Sequence, residues 1–91
     1  MWKIVATSQF RKDSKRYQHS NDKIEALNSA LLELRESGAV SAKYRPHRLS
    51  GNWSGHMECH IQWDFLLIWK DEKTRTIKLV RLGSHSELFG K

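Results

Sequence analysis

The sequence predicts an α+β domain, with two helices near the N-terminus packed on a small, mostly antiparallel β-sheet. Three observations predict it. An apolar stripe of helical period runs through residues 24–34, a two-residue alternation begins near residue 54, and residues 65–69 form an apolar run of strand length. Ninety-one residues fit one small domain with one core, spanning residues 1–91.

Trp2-Lys-Ile-Val-Ala6 is a short, β-prone first strand. Thr7 or Ser8 then caps a helix over about 9–19, with Phe10 and Tyr17 on one face. The rest of that helix is polar, so it is expected to be only thinly anchored. Asp22-Lys-Ile-Glu25 has capping-box spacing, with an acid in place of Ser or Thr, and opens the second helix. Ile24, Leu27, Leu31 and Leu34 make its core-facing stripe, and Gly38 supplies a left-handed stop. Residues 41–55 read as a basic loop. From Ser54 onward Met57, Cys59 and Ile61 face one way, and His56, Glu58, His60 and Gln62 the other. Phe65–Trp69 is the next strand, Asp71-Glu-Lys-Thr74 a polar hairpin turn, and Arg75–Leu82 the returning strand. After Gly83, one helical turn starts at Ser84 with Glu87 three residues on. The order is β-α-α-β-β-β.

The net charge of +6 is unevenly spread. Residues 1–23 hold six Lys/Arg against two acids and 41–56 hold three against none, whereas 24–40 hold three acids against one arginine. Two basic stretches around an acidic helix suit a polyanion or an acidic protein partner. No apolar run approaches the roughly 18 residues of a membrane span. Met1–Ala6 is too short for a signal-peptide apolar region, which makes the cytoplasm the expected location. The single cysteine, Cys59, excludes an internal disulfide and leaves any metal cage to histidine and carboxylate.

Chemistry concentrates in residues 45–69, which hold the one proline, three of five histidines and three of four tryptophans. His56 and His60 have zinc spacing only on a helix. On a strand they stand about 13 Å apart, against Zn–N bonds of about 2 Å, so neither a shared metal nor a cofactor is expected. Imidazoles titrate near neutrality, and a pair can take one proton and give another. RNA cleavage uses such a pair, together with cations that stabilise the phosphorane. His47, His60 and His85 are the candidate proton carriers, with Arg48 and Arg81 the candidate cations. Arg81 is in register with Ile77 and Leu79, so it either snorkels at a strand end or points into a site. Trp53, Trp63, Phe65 and Phe89 could stack bases or fill the core, and Cys59 fits a small buried hydrophobe. A lone histidine is more often a hydrogen-bonded surface residue than a catalyst. Three readings therefore stay open: a ribonuclease, a non-catalytic nucleic-acid or ribosome-binding domain, and a module for an acidic protein segment.

Three ordered motifs go further. His47-Arg-Leu-Ser-Gly-Asn-Trp-Ser-Gly55, Cys59-His-Ile-Gln-Trp-Asp-Phe-Leu-Leu-Ile-Trp69 and Arg81-Leu-Gly-Ser-His-Ser-Glu-Leu-Phe-Gly90 resemble, with matching gaps, the YafQ branch of the RelE-like toxins. These are ribonuclease components of bacterial type II toxin–antitoxin pairs. The first 40 residues fit that branch in layout only. The resemblance implies an mRNA interferase that cuts mRNA, typically on a ribosome, without metal or other cofactor, and an acidic antitoxin as partner. It implies His47, His60, Asp64 and His85 as the catalytic set, with Phe65, Arg81 and Phe89 contacting substrate, and Arg48, a candidate cation from the basic loop, is expected to join them. His85 is then the expected general acid, His47 or His60 the base, and Asp64 the residue orienting one of them, with an Asp64 base as the alternative. The branch often carries proline before that acid and tryptophan after it, where this chain has Trp63 and Phe65.

Overall fold

The computed structural model describes residues 1–90. Its elements are β1 (Lys3–Ala6), α1 (Ser8–Lys15), α2 (Asn21–Ser37), β2 (His47–Arg48), β3 (Met57–Gln62), β4 (Phe65–Glu72), β5 (Thr76–Gly83) and α3 (His85–Phe89). One sheet has the order β1-β5-β4-β3-β2. β1 lies parallel to β5, and every other pairing is antiparallel. The α+β expectation therefore holds, with one two-residue strand, β2, added inside the region read as loop.

The local signals explain most boundaries. The Thr7 hydroxyl accepts the Phe10 N–H at 3.1 Å and starts α1, which stops at Lys15, short of the expected span. α2 begins two residues earlier than predicted, with Ser20 as N-cap. Asp22 is not a cap but a first-turn acid, where its charge meets the positive end of the helix. Gly38 has φ 77° and closes α2 through its N–H to the Leu34 carbonyl. A Cβ there would also collide with the Trp2 indole, so two constraints fix this glycine. β4 runs on through Asp71 and Glu72, and the chain reverses instead at Thr74 and Arg75, both with positive φ.

The sheet has two unlike faces. Toward the helices, Cys59, Ile61, Phe65, Leu67, Trp69, Ile77 and Leu79 pack against Phe10, Leu27, Ala30 and Leu34. Each large apolar side chain buried there contributes roughly 1.5–3 kcal/mol. The other face carries a smaller cluster, Leu66, Ile68 and Leu88, flanked by Leu49, Trp53 and Val80. α3 closes one end of that face and leaves the rest open.

α1 also shields the outer edge of β5. β1 covers that edge only as far as Leu79. Beyond it, Thr7 N–H donates to the Leu79 carbonyl, and the buried Asp13 carboxylate accepts the Leu82 N–H at 3.0 Å. Asp13 also accepts from Gln9 Nε2, Arg81 Nε and Arg81 Nη2. The helix expected to be thinly anchored is thus bolted to the sheet by a buried acid. A bulge between Ile68 and Trp69 sets Arg81 opposite Ile68 rather than in step with Leu79. This corrects the register predicted for Arg81, which lies on the face away from the helices.

Candidate active site

Strand register builds the site on that open face. His47 of β2 pairs with Glu58 of β3, Glu58 with Ile68 of β4, and Ile68 with Arg81 of β5. The neighbouring row runs His60, Leu66, Gly83 and leads directly into His85 at the start of α3. Ring centroids then step from His47 to His60 over 6.0 Å, to His85 over 6.1 Å and to Phe89 over 6.4 Å. α3 is set by a capping box between Ser84 and Glu87. Glu87 is itself held by the Tyr17 hydroxyl and, at 3.4 Å, by Arg16.

Asp64 holds His85. It occupies the two-residue turn between β3 and β4 at φ 52°, a strained conformation for a non-glycine residue. Its Oδ1 accepts both the His85 backbone N–H and the ring Nδ1–H, each at 2.9 Å. A carboxylate only accepts, so Nδ1 carries the hydrogen and Nε2 is the atom offered to a substrate. These bonds, the backbone one foremost and then those from the imidazole, keep the Asp64 carboxyl below its ordinary range against a small opposing effect of burial.

The other histidines differ. His47 Nδ1 lies 3.2 Å from the Arg45 carbonyl and therefore carries a hydrogen. Its Nε2 is 3.1 Å from Glu58 Oε1, so a single proton lies between the two side chains. Glu58 is only 4% exposed, and its Oε2 has no partner among the described residues. His60 lies below the ordinary imidazole range, first through burial and then through Arg45, His47 and His85, which outweigh the opposite pull of Glu58. These surroundings favour its neutral form, which has a lone pair available. Arg45, His60, Trp63, Asp64 and His85 line an open hollow of about 380 Å³.

His47, His60, Asp64 and His85 thus come together as the sequence implied, with Phe89 at the rim. Two expected substrate contacts do not. Phe65 is fully buried on the helix side, 4.7 Å from the Tyr17 ring, because the run of 65–69 begins on the core face. Arg48 follows His47 on a strand and so points to the opposite face, beside Val40, Pro46, Met57 and Trp69. The cation that lines the hollow is Arg45. Arg81 adjoins the Glu58 row, but two of its nitrogens are committed to Asp13. Sequence reasoning missed Glu58 and Arg45 as site residues. The alternation had already put Glu58 on His60's face, whereas nothing local marked Arg45.

Metal chemistry also needs correcting in detail. His56 is not part of a ligand cluster with His60 among the described residues, and its Nδ1 is bonded to the Trp53 carbonyl at 3.1 Å. His47, Glu58 and His60, however, present ligand atoms all within 4.8 Å of one another. Two imidazoles and a carboxylate suit a transition-metal ion such as zinc or copper.

Two helices on one face of a mixed five-stranded sheet, with α3 and a histidine–carboxylate cluster on the other, define a small toxin of the RelE-like fold. The profile described as "Bacterial toxin of type II toxin-antitoxin system, YafQ" matches residues 2–90, and the chain belongs to that family. The mRNA interferase toxin YafQ of Escherichia coli K12 is 30% identical over 88 residues, 96% of this chain and 95% of that protein. Relatives so named are endoribonucleases. A copper-bound mutant toxin from Helicobacter pylori superposes with TM-score 0.85 at 35% identity, covering 98% of this chain and 100% of that one. The DinJ–YafQ toxin–antitoxin complex of E. coli gives TM-score 0.84 at 29% identity, covering 98% of each chain.

Proposed function

We propose that this chain is a metal-independent endoribonuclease that cuts mRNA on the ribosome, in the cytoplasm, and is restrained by an acidic antitoxin. The observation that carries the reading is the pairing of unlike imidazoles, a neutral His60 and an Asp64-oriented His85, with ring centroids 6.1 Å apart. His60 takes the proton of a ribose 2′-OH, and the freed oxygen attacks the adjacent phosphorus. His85, protonated at Nε2, gives its proton to the departing 5′ oxygen. Arg45 offsets charge gathering on the phosphorane, and the His47–Glu58 pair, neutral overall, passes its one shared proton to a phosphorane oxygen. A pure binding module would need neither the strained Asp64 nor a buried carboxylate. Asp64 is a poor base, since both of its bonds to His85 favour the ionised form.

The test is a short RNA at high enzyme concentration, without ribosomes. Products should carry a 5′-hydroxyl and a 2′,3′-cyclic or 3′-phosphate, and a chelator should leave the rate unchanged. A 2′-deoxy substitution at the cut site should stop the reaction. Continued cut at the deoxy position, or chelator loss restored by zinc, refutes the mechanism. The unpartnered Glu58 Oε2 favours a second reading, in which Glu58 is the base. With a His60 base, kcat/KM should rise with a midpoint below the ordinary imidazole value of about 6.5. Persistence of that limb in His60→Ala would select Glu58.

The basic stretches 1–23 and 41–56 match an acidic antitoxin segment that folds on contact, and the E. coli relative was solved with its antitoxin DinJ. Capture from the native host, after nuclease treatment, should recover a small acidic protein. Recovery of nucleic acid alone would remove the antitoxin from the reading.

A further inference from the structure

Trp63 is 91% exposed, more than any other large apolar side chain among the described residues. An indole left in water is unusual, because aromatic side chains normally bury about 150–250 Å² each. It is also not on a loose segment. Trp63 and Asp64 form the two-residue turn between Gln62 and Phe65, and Asp64 is bonded twice to His85. The backbone that presents the indole is therefore locked to the start of α3. The ring stands at the wall of the hollow that also contains Arg45, His60 and His85, a cationic and imidazole lining suited to a phosphate.

We infer that Trp63 is a stacking platform for one unpaired nucleobase flanking the scissile phosphate, an inference that rests on the ribonuclease reading above. A phosphate seated between His60 and His85 brings the base of an adjoining nucleotide to the hollow's wall. Phe89 does not line this hollow, although it lies 6.4 Å from His85. The two aromatics therefore serve different nucleotides. Trp63 has an indole wall where Phe65, the ring expected to do this work, is buried in the core. Stacking tolerates every base, so this platform adds affinity and register rather than a strict sequence preference.

The test compares wild type, Trp63→Ala and Trp63→Phe on short single-stranded RNAs, intact or abasic at either nucleotide flanking the cut. Trp63→Ala should fold normally, since the side chain has little packing to lose, and circular dichroism checks this. On intact RNA its KM should rise about ten-fold with kcat little changed, within the range of base–aromatic stacking, and Trp63→Phe should recover most of the loss. With the base removed at one flanking position, and only there, wild type and Trp63→Ala should become alike. An unchanged KM, a penalty that persists on both abasic RNAs, or a defect confined to binding an acidic antitoxin peptide would overturn the platform while leaving the ribonuclease reading intact. A wild type that neither binds nor cuts RNA would remove both.

Discussion

Asp13 and Glu58 are the two buried acids among the described residues, and they are treated in opposite ways. Asp13 accepts from a backbone N–H, an amide and two guanidinium nitrogens. Glu58 has one partner, an imidazole, and one oxygen with none. Leaving a buried acceptor unmade costs about 1–3 kcal/mol, more for a charge, so evolution of stability alone would not leave Glu58 as it is. The satisfied acid ties α1 to β5, whereas the unsatisfied one lies beside His47 at the candidate site.

The sharpest way to break this comparison is Glu58→Gln. Its single-turnover cleavage should fall by about 10²–10⁴, the usual scale of an acid–base contribution, because the proton shared with His47 is lost. Thermal unfolding should show a change of less than about 1 kcal/mol, or a gain, since a poorly paired buried charge has gone. Asp13→Ala should do the reverse. Loss of one partner of a buried pair should cost about 3 kcal/mol in denaturant unfolding, with cleavage per folded molecule within about ten-fold of wild type. If the two variants behave alike, the division fails.

Acid should erase the Asp13 effect. Burial pushes that carboxyl up, but the bonds from Arg81, Leu82 and Gln9 and the Arg81 charge outweigh it, and its value lies below the ordinary one. A depressed carboxylate stabilises fully above the unfolded value near 3.9, and the contribution disappears as pH falls through the folded value. The stability gap between wild type and Asp13→Ala should therefore be flat from pH 5 to about 8 and narrow below about 4, as urea midpoints would show. The smallest effect concerns metal. Micromolar zinc or copper should bind His47, Glu58 and His60 and slow cleavage by blocking the base, and Glu58→Gln should be the less sensitive protein by calorimetry. Stimulation by either ion would contradict the metal-free reading.

The contrast also shows what the sequence could reveal. Glu58 sits two residues from His60, so the period of a strand puts both on one face. Helix α2 and its glycine stop were legible for the same reason, since their signals are local. Asp13 was not, because its partners Arg81 and Leu82 lie 68 and 69 residues away. Arg48 was misplaced because two paired residues inside a glycine-rich stretch leave no periodicity to read. Phe65 failed differently. Its run is apolar throughout, and such a run gives no sign of which face each side chain takes.

The parallel pairing of β1 with β5 has a consequence for how the molecule comes into being. Lys3 is matched with Thr76, so the first strand made must wait for nearly the last before it can join the sheet. Contacts this distant in sequence make folding slow, on the scale of mixed α/β domains or slower. During synthesis the early helices have no sheet edge on which to settle, and His85 emerges later still. The candidate site is therefore assembled only after the final strand has paired, because His85 follows β5 directly.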